Sequence, residues 1–185
     1  MFTLRRGAGL LAMALAITVT TTAGPAVAAS KAEINRDVDA ALAILYAKDP
    51  DARALAGRAK AVLVFPSIVK AGFLLGAQYG EGALRARGKT VGYYNTVAAS
   101  YGLQAGVQTF GYALFFMTDS AVQYLAKSEG FELGTGPSIV VLDQGAARAF
   151  TTTTAQKDMY AIFFNQKGLM AGLGLQGSKI SRIGK

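Results

Sequence analysis

The chain has 185 residues, of which 52% are hydrophobic and 16% charged, with 22 glycines and a formal charge of +8. It contains no His, Cys or Trp, which excludes thiol chemistry, disulfides and imidazole base catalysis. Zinc and transition-metal sites lean on the same missing ligands, so hard-cation carboxylate sites are all that remain, and no EF-hand spacing is present. We expect no cofactor.

The first 29 residues read as a signal peptide. Arg5 and Arg6 form a basic start, Gly7 to Val19 an apolar stretch, and Ala26-Val27-Ala28 supplies the small residues that a signal peptidase requires. Cleavage is expected after Ala28 or Ala29, which places the mature chain in the periplasm or outside the cell. Losing the two arginines leaves 17 basic and 11 acidic residues, a charge of +6 that would attract anionic lipid headgroups in a salt-dependent way.

Residues 30–185 then read as a single domain, helical over 30–60 and β-rich over 61–183. Ser30-Lys-Ala-Glu33 has the pattern of a capping box, and Ile34, Val38, Ala41, Leu42 and Leu45 recur at helical spacing to about Ala47. Asp49 and Pro50 suit the cap and first position of a second helix running to about Lys60. From Ala61 the texture changes to short apolar runs broken by Gly. Val62–Phe65, Phe73–Tyr79, Ala83–Arg87, Val91–Ala98, Tyr101–Gln108 and Tyr112–Met117 read as successive strands, antiparallel because the gaps are too short for crossovers.

One inserted helix is expected over Asp119–Lys127, capped by Asp119 and stopped at Gly130. Phe131–Leu133, Ser138–Leu142, Arg148–Thr153, Tyr160–Asn165 and Leu169–Ile180 supply the remaining strands. Glycines inside strands weaken them unless the backbone must bend or approach closely. Their clusters predict an α+β fold: N-terminal helices packed on a strongly curved, Gly-rich antiparallel sheet or barrel.

Few residues suggest catalysis. Glu81, Glu129, Glu132, Asp143 and Asp158 are scattered. A Ser or Thr activated by Lys157, Lys167 or Lys179 lacks any supporting motif, so we expect no enzyme. Nucleic acid is not expected either, because the basic excess is modest and the aromatics suit packing. Arg53, Arg58, Lys60 and Lys70, around the change from helix to strand, are the candidate headgroup contacts, where cations sit next to apolar side chains. The helix from Lys31 is the candidate regulatory or inserting element.

Four blocks resemble the SYLF domain: Lys60-Ala-Val-Leu-Val-Phe-Pro-Ser-Ile-Val-Lys-Ala-Gly-Phe73, Tyr79-Gly-Glu-Gly82, Ser100-Tyr-Gly-Leu-Gln-Ala-Gly106, and Lys167 through Gly172 and Gly174 to Ser178. They occur in the family's order and, as a resemblance, imply a lipid-binding module without enzyme activity. Eukaryotic relatives bind phosphoinositides, and some fungal ones bind actin. Gly92-Tyr-Tyr-Asn-Thr96 stands where those relatives have a Trp-containing strand, and Gly136-Pro137 is all that remains of a Gly-Pro-Leu-Gly-Arg turn. The chain looks like a bacterial secreted branch, for which an anionic phospholipid of the envelope replaces actin as the expected partner. The alternative is a structural or protein-interaction module of the envelope, without lipid specificity.

Overall fold

The computed structural model describes residues 28–127, 131–132, 138–142, 157–168 and 178–185. The expected signal segment, the stop at Gly130, the strand Arg148–Thr153 and residues 169–177 of the last strand lie outside the described residues, in the first case as far as Val27.

Helix α1 spans Lys31–Lys48, and its capping box forms: the Glu33 amide donates to Ser30 Oγ at 3.3 Å and the Ser30 amide to Glu33 Oε2 at 2.7 Å. Helix α2, Pro50–Arg58, begins where Asp49 Oδ1 accepts from the amides of Asp51 and Ala52. Both starts follow the sequence because caps are local chemistry.

The six short strands expected over 62–117 are two long ones, β1 (Ala61–Ala86) and β2 (Lys89–Phe116), paired antiparallel along their whole length. A two-residue turn at Arg87 and Gly88, both at positive φ, joins them. The expected breaks at residues 80–82 and 99–100 are passed without interruption, and only the one after Phe65, opposite Gly111, coincides with an irregularity of the ladder. Register shifts fall between Phe65 and Ile68, Phe73 and Leu75, and Leu84 and Arg85, and the first absorbs Pro66, which has no amide to donate.

Glycine lets β1 curl back on itself. A Cβ on Gly82 would lie 2.1 Å from the Val64 carbonyl oxygen, and one on Gly80 2.9 Å from that of Ser67, so residues 80–82 pass directly against residues 64–68. The expected strong curvature is present. No ladder among the described residues joins these two stretches, so the sheet stays open and the barrel alternative does not form.

Helix α3 spans Asp119–Lys127 as expected, but its cap is Thr118, whose Oγ1 accepts from the Ala121 amide at 3.2 Å. Strands β3 (Phe131–Glu132), β4 (Ile139–Leu142), β5 (Met159–Gly168) and β6 (Lys179–Ile183) complete a six-stranded sheet. On the edge of β2 away from β1, β6 pairs with residues 93–97 and β5 with residues 108–116. An all-antiparallel sheet was expected, but β4 runs parallel to β5. The reason is chain length: residues 143–158 separate them, and a parallel return needs about a dozen residues.

Both faces of the sheet are covered near its closed end. Leu63, Phe65, Tyr112, Leu114, Phe116, Leu84 and Phe163 form an inner core with Ala121 and Leu125 of α3. Val62, Val64, Ala113, Phe115, Tyr160 and Ile162 form an outer one with Ile34, Val38, Ala41 and Leu45 of α1. Two covered faces explain why Ala61–Phe65 is apolar at every position instead of alternating.

Candidate functional surface

The four cations singled out in the sequence do not come together. Arg53 and Arg58 are exposed on α2, and Lys60, just after it, points its Nζ to 3.8 Å from Asp119 Oδ2. Lys70 is ten residues further along β1, past the register shift at Pro66. It stands opposite Gln108, is only 8% exposed, and is engaged in interactions of its own. The shift at Pro66 sets this orientation, since Phe65 and Ile68 both face the inner core and Lys70 follows Ile68 by two.

Helix α1 has likewise spent its apolar stripe on the core: Val38 is fully buried, and Ile34, Ala41 and Leu45 nearly so. A polar clamp reinforces the docking. Asn35 Nδ2 donates to the Tyr93 hydroxyl at 2.9 Å, Thr90 Oγ1 donates to Asn35 Oδ1 at 2.7 Å, and Arg85 donates to the Asn35 carbonyl and to Asp39. Membrane insertion of α1 would require breaking all of this, so the helix as it stands is a packed layer.

The surface left bare is the apex of the β1–β2 ribbon. Residues 71–80 and 90–116 contain no Asp, Glu, Lys or Arg. On the outer face Val69, Ala71, Leu75, Ala77 and Tyr79 of β1 are exposed together with Val97, Ala99 and Val107 of β2, Val69 and Tyr79 bordering the start of α1. Leu75 at 64% and Val107 at 60% exposure are the extremes. Such contiguous apolar exposure marks interaction surfaces.

Lysines flank this face at both ends. Tyr79 pairs with Val97 and Val97 with Lys179, so the three side chains form one row across three strands. At the other end Val69 pairs with Thr109 and Thr109 with Lys167. Both lysines are exposed. Sequence reading missed them as a pair because they lie on separate strands, and only the register through β2 brings each beside the apolar face.

A nearly buried ion pair closes the seam where β1 curls against α1. Lys185 Nζ lies 2.9 Å from Glu81 Oε2, with the two side chains 12% and 11% exposed. Glu81 also accepts from the Ala29 amide at 3.2 Å and the Tyr79 hydroxyl at 2.9 Å, while Lys185 donates to the Ala29 carbonyl. Burial by itself would raise the Glu81 carboxyl. The bonds from Lys185 and Tyr79, the Lys185 charge and the Ala29 amide outweigh it, and hold the group below the usual carboxylate value. Beside the pair is a cleft of about 360 Å³ lined by Ala28, Ala29, Ile34, Val69, Tyr79 and Glu81, among others.

Asp158 is also structural. Bonds from the Ser138 hydroxyl and amide, with a further one from Thr118, keep its carboxyl below the usual value and tie the start of β4 to the start of α3. Among the described residues no group of three carboxylates could hold a metal ion, and no helix is long and apolar enough to cross a membrane.

Residues 97–183 match the family model for Ysc84, described as a Las17-binding protein actin regulator. The match takes in β2 from Val97 onward and the chain through the end of β6, including both flanking lysines. No curated protein matches the chain.

Proposed function

Since residues 97–183 match the Ysc84 (SYLF) family model, we propose that the chain is an exported, non-enzymatic protein that binds anionic phospholipid at the cell envelope. The family is tied to lipid and actin binding. Release into the periplasm or beyond after loss of the signal segment leaves lipid, and not actin, as the partner within reach. The observation that carries the reading is the uncharged, outward-facing apex between Lys167 and Lys179.

The physical case needs both components. Side chains such as Val69, Leu75, Val97 and Val107 each contribute on the order of 1 kcal/mol when moved from water into the headgroup boundary. Tyr79 suits the same depth, with an apolar ring and a polar tip. Each lysine near an anionic leaflet adds about 1 kcal/mol, and stable attachment takes two such kinds of contribution together. Arg53, Arg58 and Lys60 lie on a different part of the surface and would act only as a secondary contact.

Co-sedimentation of residues 29–185 with phosphatidylglycerol vesicles tests this. Binding should weaken with salt, fall roughly fivefold for each of Lys167→Ala and Lys179→Ala, and change little when Arg53, Arg58 and Lys60 become Ala. Indifference to anionic vesicles at low salt would refute the lipid reading. It would favour the alternative of an envelope protein-interaction module, for which β1, paired on only one edge among the described residues, offers a docking strand. A pull-down recovering protein without lipid would point the same way.

A further inference from the structure

Two cleavage positions are open in the sequence, one after Ala28, with Ala26 and Ala28 at the minus-three and minus-one positions, and one after Ala29, with Val27 and Ala29 there. Their surroundings in the folded domain are not equal. Ala28 is exposed, whereas Ala29 is held at both ends of its peptide unit, its amide by Glu81 Oε2 at 3.2 Å and its carbonyl by Lys185 Nζ. Removing Ala29 would take a donor from Glu81 and an acceptor from Lys185 in a seam where both side chains are only about one-tenth exposed. Removing Ala28 disturbs neither bond.

We infer that the bond between Ala28 and Ala29 is the processing site and that Glu81 is the seat of the new N-terminus. In the hydrolysis, carried out by a signal peptidase, water adds its oxygen to the Ala28 carbonyl carbon, and that residue leaves as a carboxylate. The electron pair of the broken C–N bond stays on the Ala29 nitrogen, which takes up protons and becomes an ammonium. The nitrogen that donated to Glu81 as a neutral amide then donates as a cation, and charge-assisted bonds of this kind are shorter and stronger.

Processing thus converts a passive contact into a latch that ties the start of α1 to β1 and to Lys185. Loss of Ala28 also removes one wall of the adjoining cleft, beside Val69 and Tyr79. The inference does not depend on what the apex binds.

Intact mass measurement of the exported protein, expressed full-length in a bacterium with a signal peptidase, is the first test. A mature chain starting at Ala29 is expected, and one starting at Ser30, or retaining Met1, overturns the assignment. The second test is the reactivity of the Ala29 α-amine toward an acylating ester at neutral pH, read by peptide mapping. In the folded protein it should react at least severalfold more slowly than in urea. Glu81→Gln should recover much of the lost rate, while Lys185→Met, which leaves the carboxylate in place, should keep the amine protected. An α-amine that reacts equally fast in folded and urea-treated wild-type protein would show that the seat does not hold it, whatever the variants do.

Discussion

Two stretches of the same ribbon are treated differently by the fold. At the closed end, Ala61–Phe65 and Tyr112–Phe116 are buried on both faces, one against α3 and the other against α1. Around the apex the inner face still buries Ile68, Gln78, Thr96 and Gln108, yet the outer face leaves Val69, Leu75, Val97 and Val107 in water. Both regions are apolar in sequence, but only one is core. Apolarity alone therefore does not say whether a strand stabilises the protein or presents a surface; what decides it is which neighbours reach each face.

Substitutions at the two ends should separate the roles. Phe115→Ala, at a fully buried position, should cost about 3–5 kcal/mol in urea unfolding; a loss below 1 kcal/mol would mean that the closed end is not the core. Gly82→Ala tests the curl that creates the apex. Its Cβ meets the Val64 carbonyl, which is backbone and cannot swing aside, so a loss of about 1–3 kcal/mol is expected, and a neutral result would argue against this close crossing.

Leu75→Asp should do the reverse of Phe115→Ala. Stability should stay within about 0.5 kcal/mol because the side chain is already in solvent, while affinity for anionic vesicles should drop roughly tenfold, close to 1.4 kcal/mol. Equal losses in both assays would place Leu75 in the core.

The smallest effect concerns the seam. The folded Glu81 carboxyl titrates below its usual value, so its contribution to stability is complete above the unfolded value near 4.5 and disappears as pH falls through the lower folded one. Thermal melts of wild type and Glu81→Gln should therefore differ at neutral pH and converge in acid. Curves that stay parallel down to strong acid would remove the ionised carboxylate from the account.

Local chemistry was the legible part of this sequence. Ser30 with Glu33, and Asp49 with Pro50, announce helix starts because each cap involves atoms within four residues of one another. The cap of α3 was misplaced by one position, since Thr118 and Asp119 are both good caps and only the fold shows that Thr118 also bonds Asp158. Strand continuity was not legible: Pro66 and the glycines look like punctuation, and whether they end a strand, sit in a bulge or pass unbroken depends on a partner strand that lies well beyond the local window.

The candidate site suffered in the same way. Lys70 is close to Arg58 and Lys60 in sequence, but an irregularity at Pro66 turns it into the interior, where no headgroup reaches it from the outer face. Lys167 and Lys179 are twelve positions apart and become comparable only through β2, which pairs with the strand of each. At the start of α1 the Ala29 amide is held by Glu81, a contact between positions 52 apart that no local pattern in the sequence announces.

The tight turn at Arg87 and Gly88 has a kinetic consequence. It makes the longest ladder in the protein also the one whose first rungs are nearest in sequence, Ala86 with Lys89 and Arg85 with Thr90, so pairing can begin there and zip outward to Ala61 and Phe116. Closure of such a hairpin takes on the order of microseconds, far less than a long-range sheet requires. The apolar part of the surface against which α1 docks, Val62 and Val64 with Ala113 and Phe115, pairs last, at the far end of the zipper. Its polar partners Arg85, Thr90 and Tyr93 pair first, so α1 should complete its packing late as the chain folds.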